Sequence, residues 1–210
     1  MELECEADEG PIFFSFDSDQ SNGFLSPTFL SSFRYYTREY NCNEQFFQFS
    51  KATWLSNNNE LYRAIMSATD PREQKALGKQ IKADDASRSH SWATTMAYYA
   101  IEAATRLKFT DSAHAPMLLQ KLMATGHREL VMADPDDAFL GIGLDRVSAS
   151  AHVGPWPGRN LLGEVLMAVR LRLRVEASLR EERKVFSMAK FRVTCPTTSS
   201  SDVAAAEETE

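Results

Sequence analysis

Cysteine and histidine are scarce in this sequence, and their spacing excludes the commonest metal and disulfide sites. The three cysteines, Cys5, Cys42 and Cys195, form neither a paired zinc motif nor an even disulfide set. These absences predict a protein without a metal or other cofactor, and such thiols are typical of an intracellular compartment. The four histidines are scattered, and each is expected in a surface or core position: His90, His114, His127 and His152.

Long apolar runs and basic segments are also missing. No stretch approaches the length that crosses a membrane, and the acidic start MELECEADEG lacks the basic flank and apolar run of a secretory signal. We therefore expect an intracellular protein, cytoplasmic or nuclear. A net charge of −6 argues against a protein that coats nucleic acid through phosphate contacts, although a nucleic acid can still be recognised locally, at one nucleotide.

The familiar catalytic motifs are absent. The chain has no P-loop, no glycine fingerprint for dinucleotides, no HExxH and no GxSxG. The short GIG at 141–143 does not indicate phosphate binding by itself, because glycine at such a place more often marks a bulge or a close backbone approach.

What is present is enough apolar sequence for one domain. The 210 residues are 43% hydrophobic and 10% aromatic, and no linker, repeat or composition break divides them. Residues 1–10 are acid-rich, and residues 191–210 become small, polar and acidic. Both ends are therefore predicted to be disordered around a domain at 11–190.

Hydrophobic spacing predicts an α+β fold, a predominantly helical single domain with a small β-sheet. Short strands are expected in PIFFSF, FLSPTFLSSFRYY and ELVMAD, which are rich in β-formers. Besides the stretch 41–52 described next, four helices are expected: one with Asp70 as N-cap followed by Pro71 and Glu73, one over 86–108, PMLLQKLMATG with Gly126 as its C-terminal cap, and one from about Leu161 to Phe186.

The stretch NCNEQFFQFSKA at 41–52 combines an acid and a lysine with aromatic residues. On a helix, Glu44, Gln48 and Lys51 share one face, flanked by Phe47, while aromatic side chains also occupy the opposite face. A helix with aromatic groups on both sides is typically buried, so the acid and the lysine are expected out of open water. Taken alone, these residues favour a plain interpretation, in which each reaches solvent or finds a core partner.

Seven segments in order change that balance: SN at 21–22, NEQFFQFSKA, DD…W at 84–92, LKF at 107–109, LLQKLMATG, LVMADPDDAFLGIGL and WPGRNLLGEVLMAVR. The succession resembles the NADAR family, also called YbiA-like. Its members typically show SNF, SEHYFMAQKA, FD followed by W, AKF, LL-x-TG, LVEASP-x-D-x-x-WGIGL and W-x-G-x-NLLG-x-x-LM-x-VR. The match is collinear from about Ile12 to Arg174.

The resemblance implies four catalytic residues, each matched by position. Glu44 aligns with the acid of SEH, and Lys51 aligns with the lysine of AQKA. Trp92 aligns with the tryptophan after FD, and Asp137 aligns with the aspartate of SP-x-D. Substrate binding is expected at seven further positions: Asn22, Phe47, Gln48, Gly141, Gly143, Arg159 and Asn160.

The chain also departs from the family pattern. Gln45 stands for the histidine of SEH and Leu140 for the tryptophan of WGIG. In addition, Gly23 replaces the phenylalanine of SNF, and Asp84-Asp85 replaces FD. The changes at Gln45 and Leu140 bear on which substrate is accepted.

The resemblance implies hydrolysis of an N-glycosidic bond on a ribose-containing nucleotide. The family's known activities are removal of ADP-ribose from guanine bases in nucleic acid and cleavage of riboflavin-pathway aminouracil ribotides, and both break a bond between ribose C1 and an exocyclic amine. The ring of such a glycosylamine can open to an imine, so a neutral Lys51 can attack C1 and form a Schiff base. Direct expulsion through an oxocarbenium ion, with strong acid assistance, is the other route.

Roles for the remaining groups follow from the same resemblance. Glu44 is expected to donate a proton, Asp137 to shuttle protons or hold ribose hydroxyls, and Trp92 to stack on the base or wall off the sugar. Arg159 beside a helix start with free backbone donors, at Asn160, is a natural pyrophosphate site. Without the resemblance, Trp92 is expected in the core, Asp137 in a turn and Asn160 at a helix N-cap.

The sequence is compatible with three functions. The first is an ADP-ribosyl hydrolase acting on guanine-linked ADP-ribose in DNA or RNA. The second is a glycosidase for riboflavin-pathway or related small metabolites. The third is a non-catalytic module that binds ADP-ribose, which the changes at Gln45 and Leu140 favour.

Overall fold

Helices dominate the fold, as the hydrophobic spacing predicted. The computed structural model describes residues 10–16 and 19–194, so the predicted disordered start and most of the predicted tail lie outside the described residues. Within these ranges, none of the helices combines the length and the apolar character that a membrane crossing requires. The helices are α1 (Asn43–Leu55), α2 (Asn59–Ser67), α3 (Pro71–Lys79), α4 (Ala86–Ser91), α5 (Ala97–Thr110), α6 (Ala115–Ala124), α7 (Arg146–Ala151) and α8 (Leu161–Thr194).

The strands form two small sheets. Strand β1 (Ile12–Phe14) pairs in parallel with β4 (Leu130–Met132), although more than a hundred residues separate them. Strand β4 is apolar and buried along its whole length, as expected for a parallel strand covered on both faces. Strands β2 (Phe33–Tyr35) and β3 (Arg38–Tyr40) form an antiparallel hairpin.

Helix α1 is the central helix, because it packs against α2, α3 and α5. This explains why NCNEQFFQFSKA carries aromatic groups on both sides: Phe46 and Phe47 are both buried, on different neighbours. Helix α3 begins as predicted, with Asp70 Oδ1 accepting a 2.8 Å hydrogen bond from Arg72 N and with Pro71 at the first helical position.

The segment predicted to be helical over 86–108 is interrupted by a wider turn. Between α4 and α5, residues Trp92–Met96 form a π-helical turn. A π turn adds a residue to the helical repeat, and the three- and four-residue steps of the apolar side chains do not reveal it. Such turns occur frequently at functional sites, and this one begins at Trp92.

The last helix begins at Leu161, as predicted, but continues past the predicted end at Phe186 to Thr194. The sequence between these two ends contains neither glycine nor proline, so nothing in it stops the helix before Pro196. Residues up to Arg172 belong to one compact unit, and residues from Leu173 onward to a second, of which the described part is the remainder of α8.

Candidate active site

A cavity of about 300 Å³ opens where α1 and α3 meet the π-helical turn and the loop after β4. It has both charged and aromatic walls, and pockets of this size and lining are typical of small-molecule sites. Its walls are formed by Phe47, Gln48, Lys51, Lys75, Gly78, Lys79, Trp92, Asp136, Asp137, Phe139 and Leu140.

Helix α1 supplies the acid, the amide and one lysine from a single face. Glu44 is buried, with 1% of its surface exposed, and it lies behind Gln48, which lines the cavity. Gln48 Nε2 donates a 2.7 Å hydrogen bond to Glu44 Oε1. Glu44 Oε2 and Gln48 Oε1 are buried without a hydrogen-bond partner in the structure. An oxygen left in this state is costly unless a proton or a ligand group satisfies it.

Burial raises the pKa of the Glu44 carboxyl above its ordinary value. The hydrogen bond from Gln48 and the nearby charge of Lys75 act in the opposite direction but do not offset the loss of water. Glu44 therefore favours its neutral, proton-carrying form more than an exposed glutamic acid does. A neutral carboxyl whose second oxygen is unpaired is suited to donate a proton.

The pKa of Lys51 is shifted in the opposite direction, and this shift also favours the neutral form. Burial lowers the pKa of the Lys51 amine, and the negative charges of Glu44 and Asp137 only partly compensate. Lys51 Nζ donates a 3.0 Å hydrogen bond to the carbonyl oxygen of Gly78. A lysine held by one neutral acceptor in a partly dry site reaches its nucleophilic, neutral form more readily than an exposed lysine.

Gly78 permits the close contact between α1 and α3 at this point. A Cβ at Gly78 would collide with the side chain of Gln48. The absence of that carbon leaves room for the Gln48 amide beside Glu44 and exposes the Gly78 carbonyl to Lys51. The glycine thus positions two of the predicted site residues.

The structure adds Lys75, which the sequence analysis did not identify. Lys75 Nζ lies 2.8 Å from Asp134 Oδ2 and 3.2 Å from Asp137 Oδ2. Burial by itself lowers the pKa of Lys75, but the hydrogen bond to Asp134 and the charges of Asp137 and Glu44 outweigh it, so that the pKa is raised. Two of the lysines that line the cavity therefore have opposite tendencies: Lys51 towards the neutral amine and Lys75 towards the cation.

The sequence does contain a pattern that includes Lys75. Lys75, Gly78 and Lys79 fall on one face of α3 at three- and four-residue steps, and all three line the cavity. Nothing within α3 indicates that this face meets α1, so the pattern alone resembles an ordinary solvated face.

Asp137 combines its turn role with a role in the cavity. Its Oδ1 accepts hydrogen bonds from the backbone N–H of Phe139, at 3.1 Å, and of Leu140, at 2.8 Å. Its Oδ2 is left for Lys75. The turn fixes the carboxylate, so one oxygen is held by the backbone and the other is presented to the cavity.

Trp92 forms the aromatic wall of the cavity. It is 6% exposed, and its ring centroid lies 5.3 Å from that of Phe47, with the two planes tilted. Trp92 is the first residue of the π-helical turn, and its ring contacts Phe47 of α1.

Five of the seven predicted substrate-binding residues are not among the residues that line this cavity, and four of the five have a structural role. Asn160 bridges the strand backbone, since its Nδ2 donates to Leu130 O and its Oδ1 accepts from Met132 N, both at 3.0 Å. Asn22 Nδ2 donates to Phe13 O at 3.3 Å. A Cβ at Gly141 would lie 2.7 Å from Met132 O, and Gly143 has a φ of +71°; these are the reasons for the two glycines of GIG.

The predicted pyrophosphate site at the start of α8 is not formed as expected. The backbone N–H groups of Asn160, Leu161 and Leu162 donate to the carbonyls of Gly141, Phe139 and Leu140, so the expected free donors are occupied. Arg159 itself is exposed beside the cavity. Its NH1 donates to Ala93 O at 2.7 Å, and its guanidinium lies 5.4 Å from the centroid of Phe139, a lining residue.

Of the departures from the family pattern, the two that bear on the substrate, Gln45 and Leu140, lie in different places. Gln45 does not line the cavity: its Nε2 donates to the carbonyls of Ile65, Met66 and Ala68, each at 3.2 Å, and so caps the end of α2. Leu140 lines the cavity. Only the second departure therefore changes a cavity wall.

Comparison with known proteins gives this site a family context. The model of the NADAR domain matches residues 13–174. The NMR structure of the E. coli protein YbiA is similar, with a TM-score of 0.62 at 23% identity over 81% of this chain and 88% of that chain. This likeness shows that the two proteins share a fold.

Two curated relatives match parts of the chain. One is named N-glycosidase R617, from Acanthamoeba polyphaga mimivirus, and is 44% identical over 66 residues, which are 31% of this chain. The other is Protein irg-1 of Caenorhabditis elegans, 29% identical over 147 residues, or 70% of this chain. The matches span 37% of the viral protein and 66% of the nematode protein.

Proposed function

The chain belongs to the NADAR family, as its motifs predicted, and on this premise we propose that it is an N-glycosidase that removes ADP-ribose from guanine bases of nucleic acid. The name of the viral relative supports the glycosidase class. The substrate proposed for this chain is the one that the resemblance to the family implies, and the chemistry of the cavity suits a glycosylamine.

One observation carries the proposal: Lys51 lines the cavity, Glu44 is hydrogen-bonded to the lining residue Gln48, and the pKa values of Glu44 and Lys51 are shifted in opposite directions. Burial raises the pKa of the acid and lowers that of the lysine. Cleavage of a glycosylamine through a Schiff base requires this combination, a proton donor together with a neutral amine. A purely structural ion pair favours the reverse, with both groups charged.

The proposed reaction begins by opening the ribose ring. The C1–O bond of the ring breaks as Glu44 gives a proton to the ring oxygen, and C1 is left in an imine with the exocyclic nitrogen of guanine. The neutral amine of Lys51 then adds to C1. The guanine amine leaves with a proton, and C1 is joined to Lys51 as a Schiff base.

Water completes the turnover. It adds to C1 of the Schiff base, the C1–Nζ bond breaks, and ADP-ribose leaves as an aldehyde that closes again to the ring. The proton returns to Glu44, so the sum of the steps is guanine-linked ADP-ribose plus water giving ADP-ribose and the free guanine amine. No cofactor enters the balance.

The remaining groups hold the sugar. Lys75, kept positive by Asp134 and Asp137, is a donor for ribose hydroxyls or for the nearer phosphate. The carboxylate of Asp137 accepts from a hydroxyl or relays the proton of the leaving amine. Trp92 and Phe47 wall off the sugar from water and leave an aromatic surface for the base.

The experiment that tests this function offers two substrates in parallel. A guanine-ADP-ribosylated oligonucleotide and an aminouracil ribotide are incubated with the protein, and the products are identified by mass. Release of ADP-ribose and unmodified oligonucleotide is the expected result. Cleavage of the ribotide alone would indicate the small-metabolite glycosidase. Cleavage of neither, together with measurable ADP-ribose binding, would indicate a non-catalytic module.

A further inference from the structure

A second cavity, of about 460 Å³, lies on the other side of Trp92. Its walls are predominantly aromatic, and we refer to it as the aromatic cleft. It is lined by Tyr35, Tyr36, Arg38, Tyr40, Phe46, Phe49, Ser50, Thr53, Trp54, Trp92, Met96, Tyr99, Ala100 and Ala103.

The outer rings of the aromatic cleft face solvent. Tyr36 is 82% exposed and Tyr99 is 60% exposed, while Tyr35 and Trp54 are each more than a third exposed. The inner rings, such as Phe46, are buried in the core. Single exposed aromatic side chains are ordinary, but four around one cavity form a surface suited to a flat apolar ligand.

Tyr36 is held in an unusual backbone conformation at the rim. It lies in the turn between β2 and β3 with a φ of +50°, in the left-handed region that bulky side chains rarely adopt. Asparagine or glycine is the usual choice at such a turn position. The ring of Tyr36 packs edge-on against that of Tyr35, with centroids 4.8 Å apart, and both rings line the cleft. Strained residues of this kind cluster at ligand clamps.

The charge of the aromatic cleft is positive. Among the lining residues Arg38 is the charged one, and its guanidinium lies 5.2 Å from the centroid of Phe49. No carboxylate of the described residues forms a salt bridge with it. An arginine that stacks on an aromatic ring can still donate hydrogen bonds from its guanidinium N–H groups. Such an arginine suits a ligand in which a flat ring is joined to an anion.

Trp92 connects this cleft to the candidate active site. It lines both cavities, and Phe47, which contacts it, lines the first. The aromatic cleft is therefore adjacent to the cavity that holds Lys51.

We propose that the aromatic cleft is a nucleobase-binding site, in which a base stacks on Tyr36, Trp54 and Tyr99 and an attached phosphate pairs with Arg38. The proposal rests on the proposed function for its substrate class, a nucleotide. Two bases satisfy the same chemistry: the adenine of ADP-ribose, and a base of the strand that carries the modified guanine. Stacking is tolerant of base identity, so the site adds affinity without requiring a particular sequence.

Substitutions at Tyr36 test the proposal without endangering the fold. Tyr36→Asn removes the ring and places a residue that tolerates a positive φ, so its melting temperature is expected to be unchanged or higher. Its affinity for a base-containing ligand is expected to fall about 5- to 150-fold, the range of one lost stacking contact. Tyr36→Phe keeps the ring and is the matched control, expected to bind as the unchanged protein does.

Three ligands distinguish the source of the base. ADP-ribose, an unmodified single-stranded oligonucleotide and ribose 5-phosphate are titrated calorimetrically against each variant and against Trp54→Ala. Loss of affinity for ADP-ribose alone identifies adenine, and loss for the oligonucleotide alone identifies a base of the strand. Ribose 5-phosphate, which has no base, is expected to bind all variants equally.

The proposal is overturned if Tyr36→Asn and Trp54→Ala bind both base-containing ligands as the unchanged protein does. It is equally overturned if the unchanged protein binds neither ligand, or if ribose 5-phosphate loses affinity to the same extent. None of these ligands contains the bond to be cleaved, so the binding result is independent of turnover. A protein that stacks bases in the cleft but releases no ADP-ribose would retain this inference and lose the proposed function.

Discussion

Glu44 and Gln48, one turn apart on α1, share a 2.7 Å hydrogen bond that occupies one carboxyl oxygen of Glu44 and leaves the other unpaired. A buried carboxylate normally accepts several hydrogen bonds, and each of them stabilises its charge. A single amide donor does not suffice here, so burial decides the direction of the pKa shift. Burial thus favours a proton on Glu44, behind the lining residue Gln48.

The substitution Glu44→Gln is expected to abolish turnover of the guanine-linked substrate while keeping ligand affinity within about tenfold, roughly 1.4 kcal/mol. The reason is that proton transfer contributes to the transition state more than to binding. The measurement pairs single-turnover rates with calorimetric titration of ADP-ribose. A folded variant with substantial turnover would remove Glu44 from the mechanism.

Stability against pH offers an independent check of the same carboxyl. Because the pKa of folded Glu44 is raised above the ordinary 4.5, the stability linked to it is fully present below that ordinary value. It is lost as the pH rises through the folded pKa. Glu44→Gln cannot titrate, so the free energy of unfolding of the variant, minus that of the unchanged protein, should increase as the pH rises above the ordinary value of 4.5. Urea unfolding of both proteins across this pH range measures the difference in the free energy of unfolding. A difference that stays constant would mean that Glu44 is not desolvated.

The sequence predicted correctly that Glu44, Gln48 and Lys51 share one face of a helix, because one helical repeat relates them. Glu44, Gln48 and Lys51 lie on one face whatever surrounds them. Lys75 was missed because its position depends on α3 packing against α1, a tertiary contact that no local pattern encodes. For Asn160 the motif identified the residue but not its contacts. The structure shows that its side-chain amide bridges the backbone of β4.

The same distinction applies to the fold. Caps and apolar spacing predicted the start of α3 at Pro71 and the start of α8 at Leu161, since both signals are local. The π-helical turn at Trp92–Met96 and the pairing of β1 with β4 depend on distant contacts and were not predicted.

Gly78→Ala is expected to disturb the site more than the stability. An added Cβ forces Gln48 to move, which removes the donor from Glu44, and a misplaced group of this kind lowers turnover about tenfold to a hundredfold. The helix gains about 1 kcal/mol from alanine, which offsets much of the crowding. Gln48→Ala produces the same loss by another route, so the double variant should turn over no more slowly than either single variant. Losses that add fully would show that Gly78 does not act through Gln48.

Arg159→Ala is expected to weaken ADP-ribose binding about tenfold while slowing the chemical step less. Its guanidinium lies over Phe139 at the edge of the cavity, where a charge-assisted hydrogen bond to a phosphate is available from the side chain even though the helix donors beneath it are occupied. Arg146→Ala removes the same charge at a residue paired with Asp19, outside the cavity lining, and serves as the control. Equal effects of the two variants would place the phosphates elsewhere.

Lys51 distinguishes the two routes of bond cleavage. In the Schiff-base route C1 becomes attached to Nζ during turnover, so borohydride added with substrate should trap an ADP-ribose-derived mass on the Lys51 peptide. Lys51→Arg keeps the positive charge but should lose activity, because a guanidinium stays protonated and cannot act as the nucleophile.

The pH dependence of the turnover rate also distinguishes the two routes. Since burial lowers the pKa of Lys51, the fraction of neutral amine rises at a lower pH than for an exposed lysine, and the rate should rise with it on the acidic side of the ordinary lysine range. The oxocarbenium route needs only a positive charge, so it predicts no trapped adduct and an active Lys51→Arg protein. That outcome would assign Lys51 to hydroxyl or phosphate binding and leave Glu44 and Asp137 as the catalytic pair.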